Sequence, residues 1–449
     1  MQTALEIAFI CVILAGTGMD YFVRLIIHKH VSLLNLGCAL TAILGIYLFQ
    51  KATSRLLPAP IPSPQAETNS FVLDPFKSLL NTADPLLVIR FFAAFIVFTT
   101  HIMILLHPTP EVLAGKWQFL SGGAHAGMAI FFTLSGFLMG KAFLSGRYHA
   151  SRKGILIFYE SRWIRIFPLM CFVFLFLCVL QYPSILRFTP LSAFRLFTFN
   201  YYGNTLPFNG IGAMWSLSVE MQYYVIAPFI FLLFNRIMTT SPKKGILLLI
   251  AVITTLTLLK GWVANQYMIL DTPVRNPLLF SLFGNLPFFL IGFLCNYLSF
   301  RVPERIAKYI VNCWIIPLEF ALAFYLCSFV LAINFTFISI GTGITIILLD
   351  GIRHTSAYKD LHRFSMFRIL QIFGVLSYGF YLWHSGIGYV HSQLFPHGFS
   401  THSSYLLEAL IVASVVLVFS FITFVLVEDR FNAYKPINRF SKPVSNMHL

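Results

Sequence analysis

The chain is poor in charge. Only 10% of its 449 residues are Asp, Glu, Lys or Arg. A globular surface of that size needs far more, which excludes a soluble domain. Acidic residues are scarcest, 16 against 31 Lys and Arg. Close cysteine pairs are absent as well. Cys11, Cys38, Cys171, Cys178, Cys295, Cys313 and Cys327 all lie within or beside apolar runs, none at metal-ligand spacing. They read as reduced packing residues, and no metal site is expected. The first apolar run, about Leu5 to Gly18, has no basic residue before it and no convincing small-residue cleavage site. It is expected to be an uncleaved span rather than a signal peptide.

Apolar residues are what the chain has in excess: 58% are hydrophobic and 16% aromatic. Mean hydropathy is +0.79. Repeated apolar runs of roughly 17–25 residues predict an all-α, polytopic transmembrane bundle. About twelve spans are expected, near 4–20, 32–50, 86–106, 124–143, 164–182, 214–235, 245–263, 279–299, 309–331, 333–350, 370–391 and 404–427. Sorted by loop, 23 of the 31 Lys and Arg fall on one side of such a bundle. The positive-inside rule makes that side, and both termini, cytoplasmic. Arg24 and Lys29 fit this poorly. The net charge of +15 follows from this sorting and does not point to nucleic acid. The proline-rich PAPIPSPQ (58–65) reads as a cytoplasmic linker after the first two spans.

Against this background each ionisable residue inside a span is costly and needs a reason. In RFFAAFIVFTTH (90–101), Arg90 and His101 share nearly the same helix face. They are about 16.5 Å apart along the axis at 1.5 Å per residue. Arg90 is expected near the cytoplasmic face and His101 in the outer half. MWSLSVEMQYY (214–224) opens the sixth span from outside, and its Ser216 and Glu220 share a face. Glu220 falls at about the depth of His101. A carboxylate there can orient an imidazole, or merely tie two helices together. In LSYGFYLWH (376–384), Ser377, Tyr381 and His384 form one polar stripe, for substrate or for packing. Ser135, Gly136 and Gly140 of FFTLSGFLMGK (131–141) make a small-residue surface that admits a helix or a ligand. In YESRWIRIFP (159–168), Arg162 and Arg165 sit three apart, at the expected cytoplasmic start of the fifth span. Guanidinium groups bind phosphate oxygens bidentately. Positive-inside bias accounts for much of the basic loop before them.

Taken in order, the Arg90–His101 pair, FFTLSGFLMG, RWIRIFP, WSLSVE and LSYGFYLWH resemble the acyltransferase 3 family of integral membrane acyltransferases. The resemblance covers roughly residues 84–432. It implies a ten-span acyltransferase domain (84–432), to which the span and charge reading adds two N-terminal helices (1–50), a linker (51–83) and a cytoplasmic tail (433–449). The last span runs into VEDRF (427–431), where family members often have Glu-x-Pro-Phe. No esterase-like domain follows it.

What the resemblance implies is transfer of an acyl group, most often acetyl, from cytoplasmic acyl-CoA to a hydroxyl of a glycan or lipid-linked glycan, with membrane lipid around it. A bacterial inner membrane is the implied location. Arg90, Arg162 and Arg165 would hold the CoA phosphates. His101 would be the general base, or an acyl-carrying nucleophile, and Glu220 would orient it. Ser135, Trp215, Ser377, Tyr381 and His384 are the candidates for substrate contact. The acceptor would enter past loops 107–123 and 183–213. A lipid, peptide or small-metabolite acceptor is the alternative within the enzyme class. A multispan transporter is the alternative outside it, disfavoured by the lack of an internal repeat.

Overall fold

Only helices and closed barrels satisfy their backbone inside a bilayer, and continuous apolar runs of this length choose helices. The structure, a computed structural model, describes residues 82–106, 123–180, 189–201, 214–269, 280–298, 300–312, 334–395 and 402–433. No strand occurs among them. The spans expected near 4–20 and 32–50, nearly all of that near 309–331, the linker up to residue 81 and the tail beyond 433 lie outside the described residues.

The helices are α1 (Pro85–Leu106), α2 (Ala124–Leu144), α3 (Arg152–Leu180), α4 (Pro190–Phe197), α5 (Trp215–Thr240), α6 (Pro242–Ile269), α7 (Leu282–Cys295), α8 (Glu304–Asn312), α9 (Asn334–Ile352), α10 (Ser365–Leu394) and α11 (His402–Thr423). Among the described residues seven are long and apolar enough to cross a membrane: α1, α2, α5, α6, α9, α10 and α11. The chain is therefore a multi-pass helical membrane protein. Large apolar side chains stay exposed along the outward faces, among them Leu175, Leu233, Leu247 and Leu258. In water such a surface would aggregate; in lipid it is the expected boundary.

Small residues set the helix contacts that frame the site. Gly136 of α2 and Gly292 of α7 face each other's backbone. A Cβ on Gly136 would lie 1.9 Å from the Phe289 carbonyl oxygen, and one on Gly292 would lie 1.8 Å from that of Thr133. The two helices run parallel, with Gly140 further along against Asn296. This accounts for the glycines of the small-residue surface as packing, whereas Ser135 beside them turns elsewhere. α9 joins the same group. Thr133 and Ser339 are hydrogen-bonded at 2.5 Å, and Lys141 is ion-paired with Asp350. α1 and α10 are also parallel. Gly374 lies on the Leu87 carbonyl, Phe91 on Phe373 at 5.2 Å and Phe98 on Phe380 at 5.2 Å.

Two sequence expectations change. Arg162 and Arg165 were expected at the start of a span, but α3 begins at Arg152, so both lie well inside a continuous helix. Hydropathy reports the segment in hydrocarbon and misses the helical turns that precede it. At VEDRF the helix does not stop. It passes through a π-helical turn, Phe424–Glu428, into a short helix, Asp429–Ala433. Without proline nothing removes the backbone donors that continuation needs.

Candidate active site

A cavity of about 380 Å³ opens between α1, α2, α3, α5 and α10. One face of each helix supplies its wall. Met128, Phe132, Ser135 and Leu138 recur at helical spacing on α2. Ser216, Glu220 and Tyr224 do so on α5, and Ser377 and Tyr381 on α10. The cavity reaches from Asp84, just before α1, to Ser216, at the start of α5.

Four arginines line it: Arg90 from α1, Arg147 from the loop before α3, and Arg162 and Arg165 from α3. Its carboxylates are Asp84 and Glu220. Among the described residues none of the four arginines is ion-paired with a carboxylate. The Arg162 side chain donates from Nη2 to the Tyr148 hydroxyl at 3.4 Å and lies over the Tyr224 ring. Its Nε is buried with no hydrogen-bond partner. A donor left open beside an excess of positive charge suits a phosphate.

Glu220 accepts hydrogen bonds from Tyr224 and, at 3.3 Å, from Ser135. Higher up, Ser216 and Tyr381 are joined hydroxyl to hydroxyl at 2.7 Å. Ser377 lines the wall but gives its hydroxyl to the Gly374 carbonyl at 2.7 Å. Burial pushes the Asp84 carboxyl above its ordinary range, against the Leu86 N–H and the charges of Arg353 and Arg90.

His101 and His384 stand behind this wall rather than in it. Their rings stack at 5.0 Å between centroids, and His101 Nδ1 lies 2.7 Å from His384 Nε2. On its other side His384 Nδ1 meets the Tyr381 carbonyl at 2.5 Å. The Tyr381 ring lies 5.4 Å from that of His384, so Tyr381 joins the histidine pair to the cavity wall. Among the described residues the hydrogen-bond partner of His101 is His384. The expected Glu220–His101 contact is not present, because Tyr224 and Ser135 hold that carboxylate. Trp215 is buried away from the cavity, against Phe280 at 4.9 Å and His125 at 6.0 Å.

Sequence reasoning left Arg147, Tyr224, Tyr378 and Asp84 out of the site. Tyr224 stands four residues after Glu220, a spacing legible in the sequence. Arg147 was indistinguishable from the other basic loop residues. The His101–His384 pairing joins positions 283 apart and has no local signal.

A family model described as "Acyltransferase domain" (acyltransferase 3) matches residues 86–425. Nodulation protein 10 of Rhizobium leguminosarum bv. viciae is 27% identical over 327 residues, covering 66% of this chain and 80% of that protein. No solved structure matches.

Proposed function

Because the chain belongs to the acyltransferase 3 family of membrane acyltransferases, we propose that it moves an acetyl group from cytoplasmic acetyl-CoA to a hydroxyl of an extracytoplasmic glycan, in a bacterial inner membrane. Membership displaces the transporter reading. The observation that carries the donor assignment is the cavity with four arginines, none of them ion-paired with a carboxylate among the described residues. Four cations against two carboxylates leave an excess of positive charge, and in a low-dielectric wall that excess is a strong site for an anion. Arg162 and Arg165, with Arg90 and Arg147, hold the CoA phosphates. The pantetheine arm runs along the cavity toward Ser216 and Tyr381, bringing the thioester up to the histidine layer. The roughly 16.5 Å between Arg90 and His101 suits a long, thin donor.

His101 takes the proton of the acceptor hydroxyl as general base. The acceptor oxygen bonds to the acyl carbon, and the carbon–sulfur bond breaks. CoA leaves as thiolate and receives the proton. Ser216, Tyr381 and Ser135 supply hydroxyl donors near the developing oxyanion. Glu220, held by Tyr224 and Ser135, balances the arginine charge rather than orienting the base.

Membranes containing the wild type or His101→Ala at equal levels, given radiolabelled acetyl-CoA, test this reading. Label should enter the glycan fraction with the wild type and fall at least about a hundredfold with the variant. Label in lipid instead would change the acceptor class. Equal label with both would remove His101 from the chemistry.

A further inference from the structure

The two histidines carry more information than their proximity. The Tyr381 carbonyl oxygen can only accept a hydrogen bond, so His384 Nδ1, 2.5 Å away, must carry the hydrogen. A neutral His384 then has a bare Nε2, which can only accept. That nitrogen lies 2.7 Å from His101 Nδ1, so His101 Nδ1 carries the second hydrogen. His101 is left with a bare Nε2, and among the described residues nothing is bonded to that atom. The opposite arrangement would need an imidazolium at His384. That residue is 1% exposed, and among the described residues its ring nitrogens meet the Tyr381 carbonyl and His101. A buried cation without a counter-ion is strongly disfavoured.

We propose that His384 is a positioning residue: through the Tyr381 carbonyl it fixes the tautomer of His101, so that His101 Nε2 is the lone pair presented to the acceptor hydroxyl. A helix carbonyl thus does for His101 what the buried carboxylate does in a serine-protease triad. It sets which nitrogen is protonated and holds the ring plane. Unlike a carboxylate it adds no charge, which a site embedded in hydrocarbon favours. Glu220 is thereby free for the donor side of the cavity. The proposal rests on the reading of His101 as the base, but its test is separable from that reading.

The direct test is the ¹⁵N spectrum of the full chain in lipid nanodiscs, labelled at histidine, with His101 assigned by difference from His101→Gln. The expected signature is a protonated Nδ1 and an unprotonated Nε2 on His101, lost in His384→Asn. The reverse tautomer in the wild type, or an unchanged one in His384→Asn, overturns the proposal whether or not His101 is the base.

Kinetics provide the second arm. His384→Gln places an amide oxygen near the position of Nε2 and can still accept from His101. His384→Asn and His384→Leu cannot. The kcat should fall about a hundredfold or more in Asn and Leu, stay within about tenfold of wild type in Gln, and donor KM should be unchanged in all three. Equal loss in all three, or a change confined to KM, would show a packing or substrate-contact role instead.

Discussion

At the scale of single residues, charge without a partner is the informative quantity. Arg162 has one buried open donor and no carboxylate, and its planar fork is what a phosphate selects. Arg162→Lys keeps the charge and loses the fork. Donor KM should rise about tenfold, equivalent to about 1.4 kcal/mol, with kcat nearly unchanged, as read from initial rates against acetyl-CoA. Asp84 tests the opposite sign. Its carboxyl caps α1 through Leu86 N–H, and burial favours its neutral form. A carboxyl raised in the folded state contributes stability at low pH that is lost as pH rises through the folded value. Asp84→Asn keeps a good cap and cannot ionise. Its melting temperature in detergent, relative to wild type, should therefore be higher at pH 8 than at pH 4. Asp84→Ala should cost about 1 kcal/mol through the lost cap.

At the scale of helices, the site depends on how closely backbones approach. Gly136→Ala drives a methyl into the Phe289 carbonyl, where neither helix can yield without moving the α2 wall. A loss of about 1–3 kcal/mol, seen as a lower melting temperature, is expected together with reduced activity. Gly261 on α6 is the control, since a Cβ there meets nothing within 4 Å. Gly261→Ala should be neutral or slightly stabilising by helix propensity. This is also where sequence legibility divides. The positions of α1, α2, α9 and α10 followed from apolar runs to within a few residues, because hydrocarbon thickness sets their length. The start of α3 did not, because Arg152, Lys153, Glu160, Arg162 and Arg165 interrupt the short apolar run of its first turns. Glu220 could be placed at a depth, but not given a partner. Its bond from Tyr224 is local to α5, but the one from Ser135 was decided by α2 and α5 meeting, and that contact is tertiary.

For the whole molecule, the distribution of Lys and Arg makes a prediction about the sidedness of the cavity. Ser145, in the exposed turn after α2, should be cytoplasmic, and Thr198, exposed after α4, should be extracytoplasmic. In a background without native cysteines, Ser145→Cys should react with an impermeant maleimide only after permeabilisation. Thr198→Cys should react in intact cells. The reverse pattern would turn the donor cavity to face the outside, where no acyl-CoA is available. The distribution of basic residues is enough to state this orientation as an expectation, whereas the meeting of His101 with His384 required the folded bundle.

The Ser216–Tyr381 hydrogen bond ties α5 to α10 in the cavity wall, and the Tyr381 ring adjoins His384. A continuous water-filled hole through a multi-pass protein would collapse ion gradients across whichever membrane holds it. A membrane acyltransferase with an internal cavity must keep that cavity from becoming such a hole, and a hydroxyl pair joining two of its wall helices bears on this. Insulation, as much as reactivity, is then a property this fold had to satisfy.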